Sequence, residues 1–421
     1  MNKEKQIYFP KIDAIKAAAD TIKNVSAVTP LGESLRLSNK FNANIFLKRE
    51  DLQQVRSYKI RGAYNKISSL TESESSNGVV CASAGNHAQG VALSCKLLKI
   101  KGTIYMPVPT PNQKIEQVNM FGEDYIEIKL VGDTYDDAYH AAIQECKQQG
   151  KTFIHPFEDK KVIEGQATVG LEILQQSQLP IDYVFVPVGG GGLAAGLSSV
   201  FKLLSPNTKI IGIEPDGAPS MSVSIKNNKN TELKYIEKFV DGAAVKRVGD
   251  INFGICKENL HDMLQIPEGK ICETILELYN KDAIVVEPAG ALSISALDSY
   301  ADNIKGKNVV CVVSGSNNDI TRTAEIKERA LLYANLKHYF IVKFPQRAGA
   351  LRQFVVEILG ANDDITFFQY AKKTNRENGS AVVGVQLKSA RDLEPLVARM
   401  KEHDFYGDYL NNKPDLFQFL V

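Results

Sequence analysis

The chain has no surplus of charge of either sign. Its 421 residues carry 50 Lys and Arg against 49 Asp and Glu, so no broad field exists to hold nucleic acid or an anionic membrane. Any phosphate or carboxylate must be bound by local groups. There is no C-x-x-C pair among the six cysteines and no histidine cluster beside them, which argues against a metal centre. Cys81 and Cys311 lie in apolar runs, as core thiols in a reducing compartment do. There is no apolar stretch of roughly 18 residues to span a membrane. The N-terminal segment MNKEKQIYFPKIDAIKAAAD lacks the apolar centre of a secretory leader. The expectation is a cytoplasmic protein with no membrane or nucleic-acid partner.

What is present is an ordinary globular composition, 44% hydrophobic and 24% charged, in a chain long enough for about two to three domains. From Gly78 onward, short apolar runs alternate with helix-length segments. GVVCA, GTIYMPV and YIEIKLV read as strands; HAQGVALSCKLLKI, PNQKIEQVNMFG and DTYDDAYHAAIQECKQQG read as helices. DYVFVPV, TKIIGIEP and KNVVCVV continue the rhythm. Such alternation predicts βαβ units and mostly parallel sheets, with ligands at the carboxyl ends of strands. TRTAEIKERALLYANLKH reads as a charged helical connector, and YFIVKFPQRAGALRQFVVEILG opens a unit of another kind: strand, turn, amphipathic helix.

Four loops can carry chemistry. The first is Ser57-Tyr58-Lys59-Ile60-Arg61-Gly62-Ala63. A single lysine is usually a solvated charge, but at a cationic, partly dry site its pKa falls and it can form a Schiff base. The second, Ser83-Ala84-Gly85-Asn86-His87, follows a strand and opens a helix. Its backbone N–H groups suit a carboxylate; the plainer reading is a helix capped by Ser83, with His87 a hydrogen-bonding residue rather than a base. The third is Gly189-Gly190-Gly191-Gly192-Leu193. Four glycines let the backbone close around a phosphate at a helix N-terminus. The fourth, Ser314-Gly315-Ser316-Asn317-Asn318, is by itself a polar turn.

A nucleotide reading competes. Gly190, Gly192 and Ala195 fit G-x-G-x-x-A, and Glu214 ends the next strand, so an NAD-dependent oxidoreductase is an alternative. A Walker loop is excluded, because Glu145 stands where the first glycine of a motif ending in Gly150-Lys151-Thr152 belongs.

Together, in this order and at these separations, the four loops resemble the fold-type II pyridoxal-phosphate enzymes, and among them the threonine dehydratases. The resemblance covers essentially the whole chain. It implies a two-lobed, tryptophan-synthase-β-like catalytic region over residues 1–322, α/β with mostly parallel sheets, its smaller lobe (about 50–160) inserted in the larger. It implies that Lys59 holds pyridoxal 5'-phosphate as a Schiff base and later takes the substrate Cα proton. Asn86 meets the pyridoxal 3-oxygen, Gly189 to Gly192 and Leu193 cradle the phosphate, Ser314 faces the pyridine nitrogen, and Gly242 forms part of the cofactor wall. Ser83, Ala84, Gly85, Asn86 and His87 receive the substrate carboxylate. The implied reaction is dehydration and deamination of L-threonine (or L-serine) to a 2-oxo acid and ammonia, the alternative being a serine-preferring or other β-eliminase. In related serine racemases a serine at the place of Ala84 can act as a second base; alanine cannot move a proton. Ser316 stands where the family commonly has glycine. Ser220 replaces an acidic partner of Glu214 that some relatives use for a cation, so no metal site is expected.

Phe344-Pro345-Gln346-Arg347-Ala348-Gly349-Ala350-Leu351 resembles the start of the ACT-like regulatory module of biosynthetic threonine dehydratases, with Ala348 in place of the usual proline. The resemblance implies a connector over 323–337, a small α+β domain over 338–421, isoleucine and valine as effectors, and a homotetramer or homodimer. The alternative is an oligomerisation module that binds nothing.

Overall fold

The computed structural model describes residues 7–370 and 378–420. The chain divides into two compact units, residues 1–320 and 321–421.

In the first unit the strands are β1 (Leu31–Glu33), β2 (Asn44–Arg49), β3 (Val79–Ala82), β4 (Gly102–Met106), β5 (Ile126–Leu130), β6 (Thr152–Phe153), β7 (Tyr183–Pro187), β8 (Lys209–Pro215), β9 (Asp262–Ile266) and β10 (Asn308–Val313). They form two sheets. The larger runs β1-β2-β10-β7-β8-β9, and the smaller runs β5-β4-β3-β6. Every pairing is parallel except the edge pair β1–β2. The chain thus leaves the larger sheet after β2, builds the smaller one, and returns with β7. β3, β4 and β7 are buried along their whole length, which is why they read as continuous apolar runs rather than alternating ones. Cys81 and Cys311 sit buried within β3 and β10.

The four loops of interest leave the carboxyl ends of β2, β3, β7 and β10. Three of those strands, β2, β10 and β7, are adjacent in one sheet, so their loops are neighbours by construction. No described helix is long and apolar enough to cross a membrane.

The helix Lys59–Ser68 is fixed by a buried charge cluster. Arg61 is fully buried. Its guanidinium donates to Glu50 at 2.8 Å through Nε and Nη2, and to Glu172 at 2.6 and 2.9 Å. Buried Lys48 donates to Glu172 at 2.6 Å and to the Thr29 carbonyl at 2.7 Å. Two cations and two anions balance, which keeps the cost of burial tolerable. Burial works against the Glu50 charge, but Arg61 holds the carboxyl below its ordinary range. Close packing adds to this: a Cβ on Gly165 would lie 2.7 Å from the Gly62 Cα, so this helix and Lys160–Gln176 touch backbone to backbone.

The second unit is an antiparallel sheet of β11 (Lys337–Pro345), β12 (Asp364–Tyr370), β13 (Asn378–Gln386) and β14 (Tyr406–Tyr409), in the order β12-β13-β11-β14. Phe340, Phe354, Val383, Met400 and Phe405 form its own core. Gly349, at φ +82°, starts the helix after the Pro345–Ala348 turn; only a residue free of a Cβ takes that angle without strain.

Glu50→Ala would leave Arg61 short of a buried partner. We expect a loss of about 3–5 kcal/mol in urea unfolding. In the parent, whose Glu50 pKa is depressed by folding, this contribution is present above the ordinary carboxylate range and is lost as pH falls through the folded value. A change below 1 kcal/mol on the same scale would show that the cluster does not anchor the helix.

Candidate active site

Lys59 is the first residue of its helix and its side chain is directed inward. Nζ donates to the Pro156 carbonyl at 2.8 Å and stands 5.4 Å from the Tyr58 ring centroid. Burial pushes the amine down to about 8, against the opposing pull of Glu287. A lysine so placed is partly uncharged near neutral pH and can act as a nucleophile or base.

The other loops converge on it. The Tyr58 N–H donates to the Ser314 carbonyl at 3.2 Å, and Ser57 pairs with Gly315. The Ser314 hydroxyl donates to the Ala289 carbonyl at 3.3 Å. Ser316 fits where glycine was expected: its N–H donates to the Arg56 carbonyl at 2.9 Å and its hydroxyl to the Asp51 carbonyl at 3.2 Å. Asn86 begins the helix Asn86–Leu98. Its Nδ2 donates to Glu287 Oε1 at 2.7 Å, and its Oδ1 accepts from Asn317 Nδ2. The helix is capped by Gly85, not by Ser83; the Ser83 hydroxyl instead accepts the Gly85 N–H at 3.2 Å. His87 is buried against the Ile154 carbonyl at 2.8 Å. Burial, followed by the Lys59 charge, drops its pKa to about 3, so it stays neutral near pH 7 and binds a proton only weakly.

The glycine run opens the helix Gly192–Leu204. Gly191 has φ +88°, and a Cβ on Gly190 would fall 2.2 Å from the Phe157 ring. Asn252 donates to both the Gly190 and Phe157 carbonyls, at 2.7 and 3.0 Å, so the loop is shaped from behind. It leads into a helix N-terminus, whose first backbone N–H groups lack partners within the helix and suit an anion. Gly242 belongs to the same region: a Cβ there would meet Ala289 at 2.8 Å and Glu287 at 3.4 Å.

The dinucleotide alternative fails at Glu214. Both its carboxylate oxygens are spent on the helix Ser220–Lys226, accepting Met221 N–H at 2.7 Å and Ser222 N–H at 2.9 Å. It has no oxygen directed outward for a ribose. Ser220 is buried and donates to the Val245 carbonyl.

Residues 22–315 match the family described as pyridoxal-phosphate dependent enzyme, and residues 328–420 match the C-terminal regulatory domain of threonine dehydratase. This chain belongs to the pyridoxal-phosphate-dependent threonine dehydratase family. It is 52% identical over 411 residues to the biosynthetic L-threonine dehydratase of Halalkalibacterium halodurans, covering 98% of this chain and 99% of the relative. The Bacillus subtilis enzyme of the same description is 53% identical, with 98% and 97% covered. Among solved structures, the processed form of threonine deaminase isoform 2 from Solanum lycopersicum superposes with a TM-score of 0.72 at 39% identity, over 76% of this chain and 95% of that one.

The cofactor of this family is pyridoxal phosphate, and the residues fit it. On the lysine loop and the Ser314 loop, Ser57 Oγ, Asn317 Oδ1 and Asn318 Oδ1 are buried without a hydrogen-bond partner among the described residues. Such atoms are costly unless a polar ligand meets them.

Two contributors escaped the sequence reading. Glu287 is buried, and burial first and Asp241 second raise its pKa to about 7. The signal was a lone acid inside the apolar run AIVVEPAGA. The other is His155-Pro156-Phe157, which supplies the carbonyl under Lys59 and the ring behind Gly190.

Covalent uptake of pyridoxal phosphate by the apoprotein requires an uncharged Lys59. The uptake rate should therefore rise with pH and level off above about 8, rather than above the ordinary lysine value of about 10.4. Stopped-flow absorbance measures it, and a plateau only near the ordinary value would contradict the dry site.

Proposed function

We propose that this chain dehydrates and deaminates L-threonine to 2-oxobutanoate and ammonia, feeding isoleucine biosynthesis. One observation carries the reading: the dry Lys59 amine and the glycine run are joined through Pro156 and Phe157, in a chain 52% identical to a biosynthetic L-threonine dehydratase over nearly its whole length.

In this reading bound pyridoxal phosphate supplies an electron sink for the carbon that loses its proton. Lys59 carries it covalently. The backbone of Gly189, Gly190, Gly191, Gly192 and Leu193 holds its phosphate, Asn86 presents an amide N–H to the ring oxygen, and Ser314 puts a neutral hydroxyl at the ring nitrogen. Gly242 leaves the wall beside Glu287 free of a side chain. The threonine carboxylate is received at the N-terminus of Asn86–Leu98, within the loop from Ser83 to His87, where the helix dipole favours an anion. The Lys59 amine takes the Cα proton from one face. Ala84 offers no titratable group on the other, which favours elimination over racemisation.

We also propose that isoleucine, and valine beside it, bind the C-terminal unit of a homotetramer or homodimer and alter threonine affinity. A coupling of about 1–3 kcal/mol is typical of such control.

Purified enzyme should form 2-oxobutanoate from L-threonine faster than pyruvate from L-serine, without releasing D-serine at a comparable rate. Lys59→Ala should lower turnover by at least about a thousandfold. A colourless wild-type protein inert toward threonine would sink the proposal. Deleting residues from 338 onward should keep threonine turnover and abolish isoleucine inhibition; inhibition that survives the deletion would refute the effector assignment.

A further inference from the structure

The amide of Asn86 is held at both ends. Its Nδ2 gives one hydrogen to Glu287 Oε1 at 2.7 Å, and its Oδ1 takes one from Asn317 Nδ2. An amide nitrogen has two hydrogens, so one remains for a third group. Turning the amide over would set its oxygen against the Glu287 carboxylate and its NH2 against that of Asn317, two repulsive contacts in a dry place. We propose that Glu287 and Asn317 are positioning residues that lock the Asn86 amide, so that a hydrogen-bond donor rather than an acceptor faces the cofactor ring oxygen. The inference rests on the assignment of Asn86 to that oxygen.

Both anchors are themselves fixed. Glu287 is buried at the start of the helix Pro288–Ser295, its backbone N–H donating to the Gly315 carbonyl at 3.2 Å. A Cβ on Gly315 would stand 2.5 Å from Glu287 Oε1, and one on Gly242 3.4 Å from it. The two glycines thus make room for the carboxyl. Asn317 gives its other hydrogen to the Val55 carbonyl at 3.0 Å, which ties the Ser314 loop to the segment before Lys59.

The second anchor has a reason. Burial and Asp241 push Glu287 up to about 7, while the Asn86 bond and Lys114, from the helix Asn112–Gly122, pull it down; Lys59 and Tyr58 face it from the lysine loop. A Glu287 that gains a proton could donate to an amide oxygen and would tolerate the flipped Asn86. Asn317 accepts no such exchange, because its NH2 has only hydrogens to offer. The pair therefore holds one orientation across the pH range in which one carboxylate alone would not.

The test compares Asn86→Ala, Glu287→Ala, Glu287→Gln and Asn317→Ala by two readouts: the absorption band of bound pyridoxal phosphate, and its Kd on reconstituting the apoprotein. Glu287→Ala and Asn317→Ala should shift the band in the same direction as Asn86→Ala and raise Kd roughly ten- to a hundredfold. Glu287→Gln, whose amide oxygen still accepts from Asn86, should keep the parental band and Kd. A role in stability alone would lower the melting temperature without moving the band. The inference is overturned if Asn86→Ala moves the band and neither Glu287→Ala nor Asn317→Ala does, or if Glu287→Gln behaves like Glu287→Ala. If Asn86→Ala itself changes neither readout, the assignment of Asn86 fails and takes the inference with it. Asn317→Ala leaves the buried carboxyl in place, so it decides the matter should Glu287→Ala not fold.

Discussion

The site depends on where one helix is placed, and a buried arginine places it. Arg61 lies two residues after Lys59 and is fully buried among Glu50, Glu172 and Lys48. Those partners come from the end of β2, from the helix Lys160–Gln176 and from β2 itself. The lysine helix is thus tied at one point to the larger sheet and to the helix that leads into β7. A guanidinium suits this task better than an ammonium, because its planar fork can meet two carboxylates in fixed directions. Replacing such a cluster by apolar groups need not cost stability. What it gives here is direction: with Arg61 pinned and Gly62 against Gly165, the next turn back must aim Lys59 at the Pro156 carbonyl.

The same packing that pins Arg61 dries Lys59, and dryness acts in opposite senses on the two sides of the site. It lowers the lysine to about 8 and raises Glu287 to about 7. Each shift is opposed by the charge of the other group or of a neighbour, so neither is driven to an extreme. His87 and His155 are pushed down by burial first and by the Lys59 charge second, to about 3 and about 4, against the lesser pull of the Ile154 carbonyl on His87 and of Asp159 on His155. His87, which the sequence offers as a base, is thereby left holding a proton only weakly near neutral pH. The chain as a whole carries almost no net charge. On the proposed reading the cofactor phosphate and the substrate carboxylate would be met by the N-terminal ends of helices, at Gly192 and at Asn86.

The sheets were legible because they are parallel and covered on both faces. Val79–Ala82, Gly102–Met106 and Tyr183–Pro187 are unbroken apolar runs for that reason, and the loops after them announce themselves by glycine, serine and asparagine. The strand β2 was not legible: Asn44–Arg49 carries Lys48 inside it, a buried cation that reads as a solvated one. Glu287 was missed for a related reason. Its partner Asn86 is 201 residues away, and nothing local distinguishes an acid that meets an amide from one that meets water. Ser83 was misread as a cap because the residue type suits that role; the backbone passes through Gly85 instead, and the hydroxyl satisfies the turn. Spacing identifies groups that act through their own backbone. It is silent about groups that act through a distant side chain.

Selectivity among reactions of one cofactor follows from which protons the protein can move, and on the proposed reading this chain moves few. A carboxylate at the ring nitrogen would hold a proton there and deepen the electron sink. Ser314 is neutral and would not hold a proton at that nitrogen as a carboxylate would, so on this reading the sink would be shallower and elimination favoured over return of the proton. Ala84 removes the group that could reprotonate it from the far face. A locked Asn86 donor would stabilise charge at the ring oxygen. On this reading no acid stands opposite Lys59 to return a proton to Cα, and the β-hydroxyl would leave as water, the proton taken from Cα balancing the hydroxide. On this reading a preference for elimination would be a property of what surrounds the lysine, since the lysine alone would serve racemisation equally well.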